Sequence, residues 1–201
     1  MKLTYFPFPG RAYAIRVCLG IAGIPFEDEK ISFEQLVEKR GPKGRSASIP
    51  LGSLPVMTLP DGKVVTQSMA LARYAAKLAK MYPDDPLQAL FVDEIMETVA
   101  EVTIGIPRNT LPDYQILREE YAAGKLAHYF SYISKKLREV DGPYLFGTDP
   151  TVADLLIYGM LKHFRKGILD HIPSDYDAKW PACQTLVEAL ESDPKFTPYI
   201  I

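Results

Sequence analysis

The 201-residue chain has only two cysteines, one tryptophan and three histidines. Cys18 and Cys183 stand far apart, which excludes a disulfide scaffold and a CxxC redox or zinc site and fits a reducing compartment. His128, His163 and His171 are scattered, and without clustered co-ligands they make no metal site. No apolar run approaches the roughly 20 residues that a membrane-spanning helix needs. The most apolar stretch, 17–26, is broken by Gly20, Gly23 and Pro25. The start, MKLTYFPFPGR, meets proline and arginine too early for a secretory leader, and the closing Tyr-Ile-Ile carries no lipidation signal, so a cytoplasmic location is expected. Also missing are a GxGxxG after a strand, a P-loop, a GxSxG and an HExxH.

What is present is an ordinary globular composition, 47% hydrophobic and 24% charged, with a net charge of -2. The near-neutral total argues against a nucleic-acid partner. It conceals an asymmetry: residues 1–80 hold 12 Lys and Arg against 6 Asp and Glu, net +6, while residues 81–201 are net -8. The first part suits an anionic ligand; two differently solvated surfaces would give the same numbers.

The two parts also differ in pattern. Leu3–Phe6 reads as a strand stopped by Pro7 and Pro9. From Gly10 and Arg11, apolar residues recur at three and four positions through Ala14, Ile15, Cys18, Leu19 and Ala22, a helix that Gly23 ends. Phe26–Ile31 is a second strand, and residues 32–53 read as irregular. Val56–Leu59 and Lys63–Thr66 flank Asp61-Gly62, the signature of a hairpin with a two-residue turn. A helix over Gln67–Ala79 closes this part. The order β-α-β, loop, β-hairpin, α implies a mixed sheet with one parallel pair. Beyond a linker at 80–86 no strand pattern appears. Helices are expected over 87–103, 114–140, 151–164 and 180–192, the second with Leu117, Tyr121, Leu126, Phe130, Ile133 and Leu137 as its buried face. The fold class is therefore α/β plus all-α, with domains at 1–79 and 87–201.

Candidate chemistry concentrates in the basic part. Tyr5 ends the first strand, where ligands of α/β sheets sit, although a tyrosine there is also an ordinary strand aromatic. Leu54-Pro55-Val56 enters a strand from a loop; a cis Pro55 would turn backbone groups toward a peptide-like ligand, but the residues alone do not establish it. Ser68 opens a helix, where its hydroxyl and the free N–H groups suit a carboxylate or simply cap the helix.

Four segments together, LTYFPFPGRAYAIR at 3–16, GSLPV at 52–56, TQSMALARYAA at 66–76 and GTDPTVAD at 147–154, resemble the cytosolic glutathione transferases over the whole chain. The Tyr-Phe-x-x-x-Gly-Arg start is most similar to the tyrosine-type classes, sigma in particular. The resemblance implies a thioredoxin-like first domain that binds glutathione as co-substrate, an all-helical second domain, and conjugation of the glutathione sulfur to hydrophobic electrophiles without a metal. It assigns Tyr5 to the thiolate and Arg11 to assisting it. Leu54 and cis Pro55 would meet the cysteinyl part, and Gln67 and Ser68 the γ-glutamyl carboxylate. It further implies a homodimer in which Glu97 of the partner subunit meets the γ-glutamyl amine. Relatives place a tryptophan and a lysine between 32 and 51; here Phe33 or Leu36 would fill the aromatic place, and Lys39, Lys43 or Arg45 would hold the glycyl carboxylate. Phe8 and Pro9, with Thr103 to Pro107, would line an electrophile pocket between the domains, with Phe196 as a lid. Thr151 and Asp154 are expected to cap a buried helix. Family membership also admits a non-catalytic binding or assembly module, or a carrier of hydrophobic ligands.

Overall fold

The computed structural model describes all 201 residues. The chain forms two compact units, Met1–Tyr82 and Pro83–Ile201.

In the first unit a four-stranded sheet has the order β2-β1-β3-β4, with β1 at Lys2–Tyr5, β2 at Glu27–Lys30, β3 at Val56–Thr58 and β4 at Val64–Val65. β1 runs parallel to β2, pairing Leu3 with Asp28, and antiparallel to β3, pairing Leu3 with Met57. Leu3 and Met57 are wholly buried, and the first helix, α1 (Tyr13–Ile21), packs on α3 (Ser68–Leu78). α1 presents Ile15, Cys18 and Leu19 inward, the spacing expected of an apolar helix face. Gly23 then takes φ +64° while the Ile24 N–H reaches back to the Leu19 carbonyl at 3.0 Å, the six-to-one closure that ends a helix on glycine.

Two expectations change here. The 32–53 segment is not irregular throughout: Phe33–Arg40 forms α2. Ser32 Oγ accepts from the Gln35 N–H at 3.2 Å and Gln35 Oε1 from the Ser32 N–H at 2.8 Å, a capping box that fixes the helix start. Leu36 anchors the helix in the core. The β3–β4 turn is also longer than two residues. The Gly62 N–H bonds the Leu59 carbonyl at 2.9 Å and the Leu59 N–H bonds the Lys63 carbonyl at 2.8 Å, with Gly62 at φ +82°. Pro60 sets the first turn dihedral and Gly62 supplies the left-handed one, so a three-residue loop with a bulge closes the hairpin.

The second unit is helical. α4 spans Pro86–Gly105, with the Asp85 carboxylate capping the Gln88 N–H at 2.8 Å and proline at the first helical position. α5 (Tyr114–Tyr121) continues through a π-helical turn at Ala122–Leu126 into α6 (Ala127–Arg138). That turn inserts an extra residue and rotates the helix face. Tyr121, Leu126, Phe130, Ile133 and Leu137 are buried as expected, but Leu117 is 38% exposed and Arg118 is buried in its stead. α7 (Val152–Arg165) is buried along most of its surface and lies between α4 and α8 (Pro181–Ser192). Its start is the expected capping box: Asp154, fully buried, accepts from the Thr151 N–H at 2.7 Å, the Thr151 hydroxyl at 2.8 Å and the Leu145 N–H at 2.9 Å.

Candidate active site

β1 delivers Tyr5 to the end of the sheet, and Phe6–Pro9 turns the chain into a single 3-10 turn, Gly10–Ala12, ahead of α1. The turn brings the Arg11 backbone N–H to the Tyr5 hydroxyl oxygen at 3.0 Å. The phenol oxygen therefore spends a lone pair on the backbone, and this bond leaves its own proton free to be donated. Only 5% of Tyr5 is exposed. Burial raises its pKa above the ordinary 10.0, more than the Arg11 hydrogen bond and the charges of Arg11 and Arg16 lower it. At neutral pH Tyr5 is thus a protonated donor.

The close approach requires glycine at position 10. Its φ is +42°, and a Cβ there would lie 2.6 Å from the Tyr5 hydroxyl oxygen. The Arg11 side chain is exposed, so it is the backbone of Arg11 that touches Tyr5.

Arg16 is a second positioning group that the sequence pattern did not single out, because it looks like a solvated charge on the polar side of α1. Its Nε lies 3.0 Å from Asp28 Oδ1 on β2, and its Nη1 and Nη2 donate to the Phe8 and Phe6 carbonyls at 2.9 and 3.2 Å. One guanidinium thus ties the 6–8 turn to the sheet, and its carbon sits 5.7 Å from the Tyr5 ring centroid. Around Tyr5 lies an aromatic stack: Phe8 packs edge-on at 5.6 Å, Phe6 stacks on Phe8 at 5.2 Å, and Phe33 of α2 meets Phe6 at 4.3 Å. Phe8 is exposed and Pro9 partly so.

Of the remaining expected site residues in this unit, Leu54 is buried and joined to Pro55 by a cis peptide bond just before β3. Gln67, not Ser68, is the residue that precedes α3. It has φ +74° and makes no side-chain cap; Ser68 is the first helical residue, so the alternative in which Ser68 caps the helix does not hold. Lys39, at the end of α2, is held by Glu29 at 3.1 Å, whereas Lys43 and Arg45 are exposed in the following loop. Leu36 is core and Phe33 is exposed, which separates the two aromatic-place candidates.

In the second unit, Glu97 is exposed on α4. Thr103 is also exposed, its hydroxyl donating to the Val99 carbonyl at 3.0 Å, and the Pro107 carbonyl accepts from Arg118 Nε at 2.9 Å. Phe196, which the resemblance offers with the C-terminal tail as a lid, is only 2% exposed and packs as a core side chain. No group of three or more His, Cys, Asp or Glu side chains is placed to hold a metal ion.

The N-terminal domain of glutathione S-transferases matches residues 1–77, and the C-terminal domain of the same family matches residues 109–200. The class-mu 28 kDa glutathione S-transferase isozyme of Schistosoma japonicum is 28% identical over 100% of this chain and 96% of its own length. Glutathione S-transferase 3 of Caenorhabditis elegans is 30% identical over 78% of this chain and 76% of its own. A solved glutathione S-transferase of the hookworm Necator americanus, described as monomeric, matches with a TM-score of 0.79 at 26% identity, covering 98% of this chain and 94% of that one. The chain is an enzyme of the glutathione S-transferase family.

Proposed function

We propose that the protein joins the sulfur of glutathione to hydrophobic electrophiles, with the Tyr5 hydroxyl donating a hydrogen bond to the thiolate. The observation that carries this is the bond from the Arg11 N–H to the Tyr5 oxygen at 3.0 Å, which leaves the phenolic proton as the donor. A free thiol has a pKa of about 8.5, so only a few per cent is thiolate at neutral pH. A donor aimed at the sulfur favours the anion and lowers that value. A tyrosine whose own pKa is raised stays protonated and serves this role without competing for the charge. The family assignment makes glutathione the co-substrate, and the net +6 of residues 1–80 suits a ligand with two carboxylates and a developing thiolate.

In this reading the Leu54 backbone, presented before cis Pro55, meets the cysteinyl portion, and Gln67 with Ser68 holds the γ-glutamyl carboxylate at the start of α3. Lys39 is already paired with Glu29, which favours Lys43 or Arg45 for the glycyl carboxylate. Phe8 and Pro9, beside Tyr5, face the electrophile. We assign the chain to the tyrosine-type enzymes, sigma-like in its Tyr-Phe-x-x-x-Gly-Arg start, acting in the cytoplasm as a homodimer in which Glu97 of the partner subunit meets the γ-glutamyl amine.

Conjugation of glutathione to an aryl halide tests the activity. Turnover in the wild type, together with a raised glutathione KM in Gln67→Ala or Ser68→Ala, supports the reading. No turnover and no retention on immobilised glutathione refutes it and leaves a non-catalytic module. A monomer by sedimentation at micromolar concentration refutes the dimer.

A further inference from the structure

Three phenylalanine rings lead from the turn beside Tyr5 to the start of α2. Phe8 meets Tyr5 edge-on at 5.6 Å, Phe6 stacks on Phe8 at 5.2 Å with the ring planes 14° apart, and Phe33 meets Phe6 at 4.3 Å. Each ring is fixed at its backbone. Arg16 holds the Phe6 and Phe8 carbonyls from Nη2 and Nη1, and the Ser32–Gln35 capping box sets the first turn of α2, which carries Phe33. The rings are therefore ordered before a ligand arrives.

Both ends of the row are open. Phe8 is 44% exposed and Phe33 is 62% exposed. Rings joined into an exposed patch give up apolar burial that a purely structural row would keep. The Phe33 phenyl has no donor, so it cannot hold a carboxylate as an N–H would. At the other end the Phe8 ring edge and the Tyr5 hydroxyl oxygen border one notch. A Cβ on residue 10 would stand 3.1 Å from Phe8 Cε2 and 2.6 Å from the phenol oxygen, and Gly10 leaves that space clear.

We propose that Phe33, acting through Phe6 on Phe8, sets specificity for electrophiles with a flat aromatic body over saturated bodies of the same size. With the glutathione sulfur at the Tyr5 hydroxyl, the reading on which this rests, a group joined to the sulfur lies beside Phe8. A flat ring gains an offset stack there that a puckered ring does not. Phe33 is a positioning residue: it meets Phe6, and the two rings hold the Phe8 plane against tilting. A plane fixed in advance takes the incoming ring without a further cost in ordering.

Binding of S-benzylglutathione and S-(cyclohexylmethyl)glutathione to the full-length protein, measured by calorimetry, tests this. The two compounds share the tripeptide, so any effect on the glutathione contacts cancels in the ratio of their dissociation constants. The wild type is expected to bind the benzyl compound at least threefold more tightly, the step that an offset ring stack supplies. Phe33→Leu keeps an apolar side chain without the ring and is expected to lower that ratio at least twofold; Phe33→Tyr is expected to restore it. In a Phe8→Leu background, Phe33→Leu is expected to leave the ratio where it stands, because its effect passes through Phe8. No benzyl preference in the wild type, equal weakening of both compounds by Phe33→Leu, or the same fall in the Phe8→Leu background overturns the proposal and leaves glutathione binding intact. Binding of neither compound to the wild type refutes the glutathione reading and this inference with it.

Discussion

The Tyr5 hydroxyl oxygen accepts a hydrogen bond from the Arg11 backbone N–H at 3.0 Å, across a turn that only glycine at position 10 can make so tightly. Strand end, turn and helix start are thereby joined at the atom that we assign to the chemistry.

Gly10→Ala should disturb this contact more than it disturbs the fold. The new Cβ would stand 2.6 Å from the Tyr5 oxygen on a backbone at φ +42°, so the ring or the turn must move. A fall in kcat of about tenfold or more is expected, set by an error of a few tenths of an ångström in the donor position. Steady-state kinetics beside a thermal melt checks this; wild-type kcat in a stable variant contradicts it.

Arg16→Ala removes the guanidinium that holds the Phe6 and Phe8 carbonyls and Asp28. The 6–8 turn and its aromatic stack lose their tie to β2. Activity is expected to fall several-fold with a destabilisation of about 1–3 kcal/mol, because charged hydrogen bonds in a part-buried site are lost together. Arg16→Lys should recover little, since an ammonium cannot serve three acceptors in the plane of the guanidinium fork. Equal kinetics and stability in the wild type and Arg16→Ala contradict the positioning role.

Asp154 ties stability to pH. Burial pushes its carboxyl up to about 6, against three donor bonds that pull it down. The folded value lies above the ordinary 3.8, so its contribution is whole below about pH 4 and is lost as pH rises through about 6. Asp154→Asn does not titrate. The stability difference between wild type and this variant is therefore expected to shift against the wild type between pH 4 and 7, a range set by those two values. Chemical denaturation of both proteins across that range checks it; a constant difference contradicts it.

Both thiols should be silent in the native protein. Cys18 is fully buried, Cys183 is 1% exposed, and burial pushes the Cys183 pKa up to about 12. A thiol reagent at pH about 8 is expected to label neither until denaturant is added, since the thiolate is the reactive form. Rapid native labelling of Cys183 contradicts this.

Where periodicity was strong, the fold was legible: α1 from its three-and-four spacing and Gly23, the capping box at Thr151 and Asp154, and the mixed sheet from the order of strands. α2 carried its signal too, since Ser32 and Gln35 have capping-box spacing, but the glycines and prolines after it masked an eight-residue helix. The π turn left one signal, the five-residue step from Tyr121 to Leu126 on the expected buried face, which a regular helix does not explain; the exposure of Leu117, on α5 ahead of that turn, had no such signal. At the site, Tyr5 was placed by its strand end. The need for Gly10 and the three-way grip of Arg16 were not visible, because both depend on the 6–9 turn folding back toward β1 and β2.

The most direct test of the Tyr5 assignment is the thiol pKa of glutathione bound to the enzyme, followed by thiolate absorbance against pH in the wild type and in Tyr5→Phe. The bound thiol is expected to titrate well below about 8.5 in the wild type and to return toward that value in Tyr5→Phe, with conjugation at neutral pH falling at least tenfold. The same bound pKa in both proteins, with glutathione affinity retained, would contradict the account.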